Sequence, residues 1–203
     1  MTKSLTEIRT DIPEVLIGAD PEIFVKDAKG VNISAHNLVK GTKENPLRVK
    51  QGAVQVDGTA LEFNIDPARN SREFVSNIQV VMAQLSDMMK ASDPSLQFDI
   101  KPAVMYHEDI FKNIPEEALE LGCEPDYNAW TGTVNPRPDS SALRGFETLR
   151  TGSGHVHIGW TRRADKTNPA HFEDCCLLTK FLDMTLGHAS TYWDRGSTRA
   201  RLY

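Results

Sequence analysis

Three apolar segments of this chain, bounded by turn-forming residues, predict β-strands, and the third of them alternates between polar and apolar positions. The first segment covers residues 15–26, VLIGADPEIFVK, and turn-forming residues follow it. The second covers residues 53–65 and predicts a hairpin turning at Asp57 and Gly58, because an Asp-Gly pair favours a tight turn. The third is HVHIGW at residues 155–160. Together these segments predict a mainly antiparallel sheet.

Two other segments repeat hydrophobic residues at helical spacing. Residues 70–90 give the clearest helix, with Asn70 as its cap and Glu73 three residues later to complete a capping box. A second helix opens at Asn168, ends at Gly187 and contains enough apolar residues to be largely buried. The expected fold class is therefore α+β, a curved, mainly antiparallel sheet with helices packed on one face.

Composition narrows the class of protein without changing this outline. At 203 residues the chain suits one domain, residues 15–203, behind a polar lead-in at residues 1–14. A net charge of −5 gives no electrostatic reason to expect a nucleic acid or an anionic membrane as partner. No run is apolar enough for a membrane span or a signal peptide, so the cytoplasm is the expected location. The adjacent Cys175 and Cys176 suit small core residues better than a disulfide framework.

Four acidic residues lie in the first two strand segments. Asp20 and Glu22 are two apart and share a face of a regular strand, where they repel each other unless a cation lies between them. Pro21 between them predicts an edge or a bulge. Glu62 has apolar neighbours and needs a partner, since an unpaired buried charge is costly. The alternatives without a functional role are a turn aspartate at Asp57 and a solvated glutamate at Glu22.

The third strand follows a Gly-Ser-Gly turn at residues 152–154. Glycines allow backbone conformations that side chains forbid, and the exposed N–H groups of such a turn can face a phosphate. His155 and His157 then project from one face of the strand. Two adjacent imidazoles beside this turn suggest a metal or phosphate site, and the alternative is a pair of histidines hydrogen-bonded to their neighbours.

Carboxylates with one or two imidazoles favour Mg²⁺ or Mn²⁺ over zinc, which usually draws more nitrogen or sulfur ligands. A phosphate-accepting turn beside several carboxylates is a common way to build a magnesium–nucleotide site. Arginines near such a site would steady the charge of a phosphoryl group in transfer, and the alternative for them is a solvated role. The arginines considered for this role are Arg150, Arg199 and Arg201.

Three motifs, GADPEIFV, DGTALEF and GSGHVHIG, resemble the metal and nucleotide motifs of the carboxylate–amine ligases related to glutamine synthetase and glutamate–cysteine ligase. The GCEPDYNAW loop and the DRGSTRARLY end resemble most the phage branch, the COOH-NH2 ligases of type 2. The resemblance runs from Gly18 to Tyr203 and implies a glutamine synthetase-like catalytic domain.

The resemblance also implies roles for individual residues. Glu22, Asp57 and Glu62 would hold one divalent ion, and Asp20 with His155 a second. The ATP phosphates would contact Gly152, Ser153, Gly154 and His157. Asp20 and Asp57 depart from the family pattern, since glutamate is usual at the first in glutamine synthetase and Asp57 is likewise shorter. The family also continues past RLY into a Tyr-Gly-Lys segment and a Glu-x-Arg strand. The resemblance therefore predicts a domain that lacks its C-terminal end, binds Mg–ATP weakly and turns over slowly or not at all.

The function expected from the resemblance is ATP-dependent joining of a carboxylate to an amine through an acyl phosphate. Its substrates would be small molecules or peptides, in the cytoplasm of a phage-infected bacterium. Two alternatives stay open. One is a zinc-dependent hydrolase of the H-x-H kind. The other is a non-catalytic phage structural or binding protein that keeps the fold.

Overall fold

Most of the strands lie in the first half of the chain, and a long strand from its last third pairs with the first of them. The computed structural model describes residues 14–119, 126–136, 147–160 and 167–193. The strands are β1 (Val15–Lys26), β2 (Asn32–Ile33), β3 (Leu47–Val49), β4 (Gly52–Asp57), β5 (Ala60–Ile65), β6 (Gln97–Asp99), β7 (Ala103–Met105), β8 (Tyr127–Asn128), β9 (Thr133–Val134), β10 (Leu149–Thr151) and β11 (Gly154–Trp160). The helices are α1 (Ser71–Ser92), α2 (Glu108–Phe111) and α3 (Pro169–Leu182), with a 3-10 turn at Glu116–Ala118.

The main sheet has seven strands and is built around β1. Its order is β11-β1-β5-β4-β3, and β2 and β6 pair with the far end of β1. Every strand pair in the described ranges is antiparallel. The predicted α+β class with a mainly antiparallel sheet is confirmed.

The predicted hairpin is β4 and β5. Asp57 pairs with Ala60, so the two-residue turn is Gly58-Thr59, one residue later than expected. Gly58 has a φ of +55°, a left-handed conformation that glycine adopts without steric cost. Asp57 is therefore the last residue of a strand and its side chain belongs to a defined face of the sheet.

Helix α1 begins at the predicted cap and covers one face of the sheet. The Asn70 side chain accepts a hydrogen bond of 2.9 Å from the Glu73 N–H, while the Glu73 carboxylate reaches back to the N–H of Arg69 rather than that of Asn70. The second hydrogen bond of the capping box is therefore made with the residue before the cap. Residues from the helix and the sheet form the main core, which includes Ile23, Val25, Val54, Leu61, Phe63, Val81, Leu85 and Met89.

A second, smaller core lies on the opposite face of β1. Phe24 is fully buried there against residues of β7, the 3-10 turn and the segment between them. The members of this cluster are Phe24, Ala60, Val104, Tyr106, Ile114 and Ala118. Consecutive residues of β1 therefore enter different cores, as the strand period requires.

The prediction that both long helices are buried against the sheet is wrong for α3. None of its residues is buried, and Phe172 is 51% exposed. Its Phe172 ring lies 4.9 Å from the Tyr127 ring of the β8–β9 ribbon, and its His171 ring lies 5.1 Å from the Trp160 ring at the end of β11. Just after the helix, Asp183 accepts a hydrogen bond from the Trp130 indole. The helical path also continues past Gly187 to Ser190. Cys175 and Cys176 are half-buried on this helix and are not core residues.

None of the helices in the described ranges is long and apolar enough to cross a lipid bilayer. The predicted lead-in at residues 1–14 lies outside the described residues except for Glu14, whose carboxylate is 2.6 Å from the Arg69 guanidinium.

Replacing the cap of α1 should destabilise the fold. Asn70→Ala removes the acceptor for the Glu73 N–H, and we expect a loss of about 1 kcal/mol in the free energy of unfolding. Denaturant titration measures this loss, with Ser71→Ala at the adjacent exposed position as the control. Equal stability of the two variants would contradict the capping assignment.

Candidate functional site

The strand register brings the predicted acids and histidines to one face of the main sheet. Glu22 on β1 lies opposite Glu62 on β5, and Asp20 lies opposite His155 on β11. Alternation along the strands adds Asp57 and Gln55 from β4 and His157 from β11. This carboxylate face, on the side away from α1, comprises Asp20, Glu22, Gln55, Asp57, Glu62, His155 and His157.

Asp20 lies between the two histidines. Its Oδ1 is 3.2 Å from His155 Nδ1, and its Oδ2 is 3.0 Å from His157 Nε2. The Oδ1 atom is buried and accepts no hydrogen bond, so the short distance to His155 lacks hydrogen-bond geometry. A buried carboxylate oxygen without a donor is unfavourable and is free to bind a cation. Both imidazoles are more than half exposed and can turn toward a ligand.

Pro21 marks a break between β1 and β5. The pairing of Glu22 with Glu62 would place Ile17 opposite Pro67, yet Ile17 exchanges both backbone hydrogen bonds with Ala68, at 2.9 and 2.8 Å. Between the two contacts residues 63–67 on the β5 side face residues 18–21 of β1, so the extra residue lies on the β5 side and forms a bulge there. The prediction of an edge at Pro21 is wrong because β1 is central, and the bulge lies opposite Pro21 rather than in its own strand.

Burial and the neighbouring carboxylates favour the protonated forms of Glu62 and Glu22. The pKa of Glu62 is raised to about 7, mainly by burial and also by the charges of Asp57, Asp20 and Glu22, while the hydrogen bond from the Gln55 side chain opposes the change. Burial is also the main reason that the pKa of Glu22 is raised, with a hydrogen bond from the Ser153 N–H as the main opposing influence. The negative charge of these carboxylates is therefore only partly offset within the protein.

Two residues of the site were not predicted from the sequence. Gln55 is buried, and its amide donates a hydrogen bond of 2.6 Å to Glu62. The Lys43 ammonium lies 3.3 Å from Asp57. Strand alternation with Asp57 would have identified Gln55, whereas Lys43 comes from a loop and no periodic signal marks it.

The Gly-Ser-Gly segment differs from the predicted phosphate-binding turn. Neither Gly152 nor Gly154 has a positive φ, so the expectation of conformations forbidden to side chains is wrong. Gly152 is needed for space, because an added Cβ would lie 3.1 Å from the Phe24 ring. The N–H of Gly152 donates to Pro102, and that of Ser153 donates to Glu22 at 2.7 Å. These two N–H groups are engaged within the protein and are not directed at a ligand.

Arg150 lies away from the carboxylate face. It is buried, donates to the backbone carbonyls of Leu119, Glu147 and Leu149, and lies 4.7 Å from the centre of the Phe111 ring. Burial lowers the pKa of its guanidinium. These contacts tie β10 to the 3-10 turn, and the structure does not bring Arg150 together with the acids. Arg199 and Arg201 lie outside the described residues.

The carboxylate face has the ligands for a divalent cation but not a finished coordination shell. Its oxygens are the donors that Mg²⁺ and Mn²⁺ prefer. In the described part of the chain, no three His, Cys, Asp or Glu side chains are already arranged to hold an ion. Coordination therefore requires rotation of side chains, for which the exposed imidazoles have room.

No protein-family model matches this chain, and no curated protein matches it either. The relationship to carboxylate–amine ligases therefore rests on the motifs alone and remains a resemblance.

Neutralising Glu62 should stabilise the protein at high pH. Since its pKa is about 7 in the folded protein and 4.5 ordinarily, the folded state binds more protons between these values, and stability falls as pH rises through them. Glu62→Gln removes this cost and keeps the contact with Gln55. Because solvent screens part of the effect, we expect a gain of about 1 kcal/mol at pH 8 and no gain at pH 4.

Unfolding curves at the two pH values measure this difference. Glu108→Gln, on an exposed helix end away from the carboxylate face, is the matched control. A gain for Glu62→Gln that is equal at pH 4 and pH 8 would show that charge repulsion is not its cause.

The two glycines of the turn should respond differently to a methyl group. Gly152→Ala forces the buried Phe24 ring to move, and we expect a loss of about 1–3 kcal/mol. Gly154→Ala places its Cβ 3.9 Å from Pro21, an ordinary contact, and should change stability by less than about 0.5 kcal/mol. Equal unfolding midpoints for the two variants would contradict the close approach of Phe24.

Proposed function

We propose that this chain is an ATP-dependent carboxylate–amine ligase with a glutamine synthetase-like catalytic domain. The observation that carries the proposal is the convergence of Asp20, Glu22, Asp57, Glu62 and His155 on one face of the sheet, which is the set of residues the resemblance assigns to metal binding. The proposed setting is the cytoplasm of a phage-infected bacterium.

The residues present fit a divalent cation of the magnesium type. Glu22, Asp57 and Glu62 would hold one ion, and Asp20 with His155 a second. The unpartnered Oδ1 of Asp20 and the raised pKa values of Glu22 and Glu62 are what a site built for positive charge shows when that charge is missing. Bound magnesium would offset the negative charge that builds up on phosphoryl oxygens during transfer.

The negative charge of the carboxylate face also predicts that the divalent cation is needed before ATP can bind. ATP and a carboxylate substrate are both anionic, and the carboxylate face repels them at close range. Nucleotide binding must therefore depend on a divalent cation. His157, which is 62% exposed, is the residue of this face best placed to turn toward a phosphate, because the N–H groups of Gly152 and Ser153 are already engaged.

In the proposed reaction, an oxygen of the carboxylate substrate attacks the γ-phosphorus of ATP and ADP leaves. An amine that binds in its protonated form first gives a proton to a carboxylate of this face. Its nitrogen lone pair then attacks the carbonyl carbon of the acyl phosphate, phosphate leaves with a second proton from the nitrogen, and an amide bond forms. The hydrogen bond from Ser153 holds the Glu22 carboxylate in place against the β10–β11 connection, which supports its proposed role as a metal ligand. The negative face also attracts an amine substrate in its protonated form. Small-molecule or peptide amines and carboxylates are the proposed substrates.

The two imidazoles beside Asp20 favour a second candidate, a zinc-dependent hydrolase. In that case Asp20, His155 and His157 would hold zinc, whose chemistry at such a site is the activation of a water molecule. The two candidates differ in metal preference and in nucleotide dependence. Stabilisation by zinc with no response to Mg²⁺ and ATP would favour the hydrolase.

Binding of ATP should require both the cation and the acids. We expect calorimetry to detect ATP binding with Mg²⁺ and none with a chelator. Glu22→Gln should weaken Mg²⁺-dependent binding by at least about 10-fold, since it removes a charged ligand that Ser153 holds in position. Glu108→Gln serves as the control outside the face. The same ATP affinity in chelator and in Mg²⁺ would contradict the proposal.

The ligase reaction itself is tested by product formation. Release of ADP should depend on both a carboxylate and an amine, and Glu62→Gln should reduce it. ADP release that is independent of the amine would point to a simple ATPase. No release with any amino acid pair, together with no ATP binding, would contradict the proposal and favour a non-catalytic role.

A further inference from the structure

A groove runs along β1 from the carboxylate face toward the start of the strand. It lies where the bulge separates β1 from β5 and has a volume of about 530 Å³. This volume is within the range of about 300–1,000 Å³ that is common for small-molecule sites. Asp20 and His157 line one end, and Leu16 and Gly159 line the other. Four residues of strand separate the ends, or about 13 Å.

The floor of the groove is flat because two neighbouring positions on adjacent strands lack side chains. Gly18 and Gly159 lie on the same face as His157, and both line the groove. A Cβ added at Gly159 would meet nothing within 4 Å, so the space above it is open. Leu16 and Pro67 supply apolar walls. A flat, largely apolar ring fits this shape better than a charged group does.

Asn64 is the polar side chain that reaches the groove from β5. It lies on the same face as Glu62, two residues farther along the strand, about 6.6 Å from it. Its side-chain amide has no hydrogen-bond partner among the described residues. An amide offers one donor and one acceptor side by side, which match N7 and the N6 amino group of adenine.

We propose that this groove binds the adenine ring of ATP and that Asn64 selects a 6-aminopurine over a 6-oxopurine. The inference rests on the proposed function, because it places the base beside the face that would hold the metal and the phosphates. A 6-oxopurine presents two acceptors, O6 and N7, on the same edge, and leaves the amide oxygen of Asn64 unpaired. His157 lies at the boundary, where the groove meets the carboxylate face.

The test compares three ligands in the presence of Mg²⁺: ATP, ITP and inorganic tripolyphosphate. ITP differs from ATP in its 6-oxo base, and tripolyphosphate has no base. Calorimetry of the full chain should give ATP an affinity about 10-fold or more above that of ITP, since a two-point contact with a base edge discriminates by about that factor.

Two variants test the groove and the amide of Asn64 separately. Gly159→Val places its Cβ in open space and adds bulk to the groove. It should reduce ATP affinity to that of tripolyphosphate, while tripolyphosphate binding is unchanged. Asn64→Leu should lower ATP affinity about 10-fold, to the value for ITP. Val156→Leu, on the opposite face of β11 and 55% exposed, is the matched control and should change nothing.

Equal affinities for ATP and ITP in the unaltered protein would overturn the role of Asn64. Unchanged ATP affinity in a folded Gly159→Val variant would overturn the groove as the base site. Failure of all three ligands, tripolyphosphate included, would overturn the proposed function itself, and the base site with it. The three failures are therefore distinguishable.

Discussion

The pairing of β1 on both of its edges determines which side chains of this protein meet. Its register with β5 sets Glu22 opposite Glu62, and its register with β11 sets Asp20 opposite His155. Ile23 and Val25 enter the core under α1, whereas Phe24 enters the core on the other face. A slip of β1 by one residue would move Asp20 and Glu22 to the α1 side, so the burial of these apolar residues also fixes the site.

Bringing these acids together destabilises the folded protein, because their negative charges repel one another and are partly buried. Burial and mutual repulsion raise the pKa values of Glu22 and Glu62, and the hydrogen bonds from Ser153 and Gln55 only partly offset the effect. The stability supplied by the two cores is what allows these charges to stay together. Clusters of this kind are retained at functional sites more often than in purely structural ones. A cation would change the same charges from a source of instability into a set of ligands.

Sequence patterns correctly predicted the features that neighbouring residues determine, such as the face of a strand and the start of a helix. Alternation placed Asp20 with Glu22 and His155 with His157, and the cap at Asn70 marked the start of α1. The predicted burial of α3 is wrong because apolar content does not specify which surface covers a helix. This helix contacts the β8–β9 ribbon through Phe172 and the edge strand β11 through His171, and none of its residues is buried.

Long-range contacts account for the remaining differences. The N–H groups at Gly152 and Ser153 are engaged by Pro102 and Glu22, which are distant in sequence. Arg150 is buried through carbonyls from another segment and an aromatic ring. The groove beside Asn64 exists because of a register shift between β1 and β5 that no single strand shows.

The most direct test of the central claim is to locate a cation. Crystals soaked in Mn²⁺ and measured at its absorption edge should show anomalous density on the carboxylate face. We expect the peak within about 2.1–2.5 Å of carboxylate oxygens of Glu22 and Glu62. No anomalous peak on this face at saturating Mn²⁺, or a peak only at other surface carboxylates, would contradict the account.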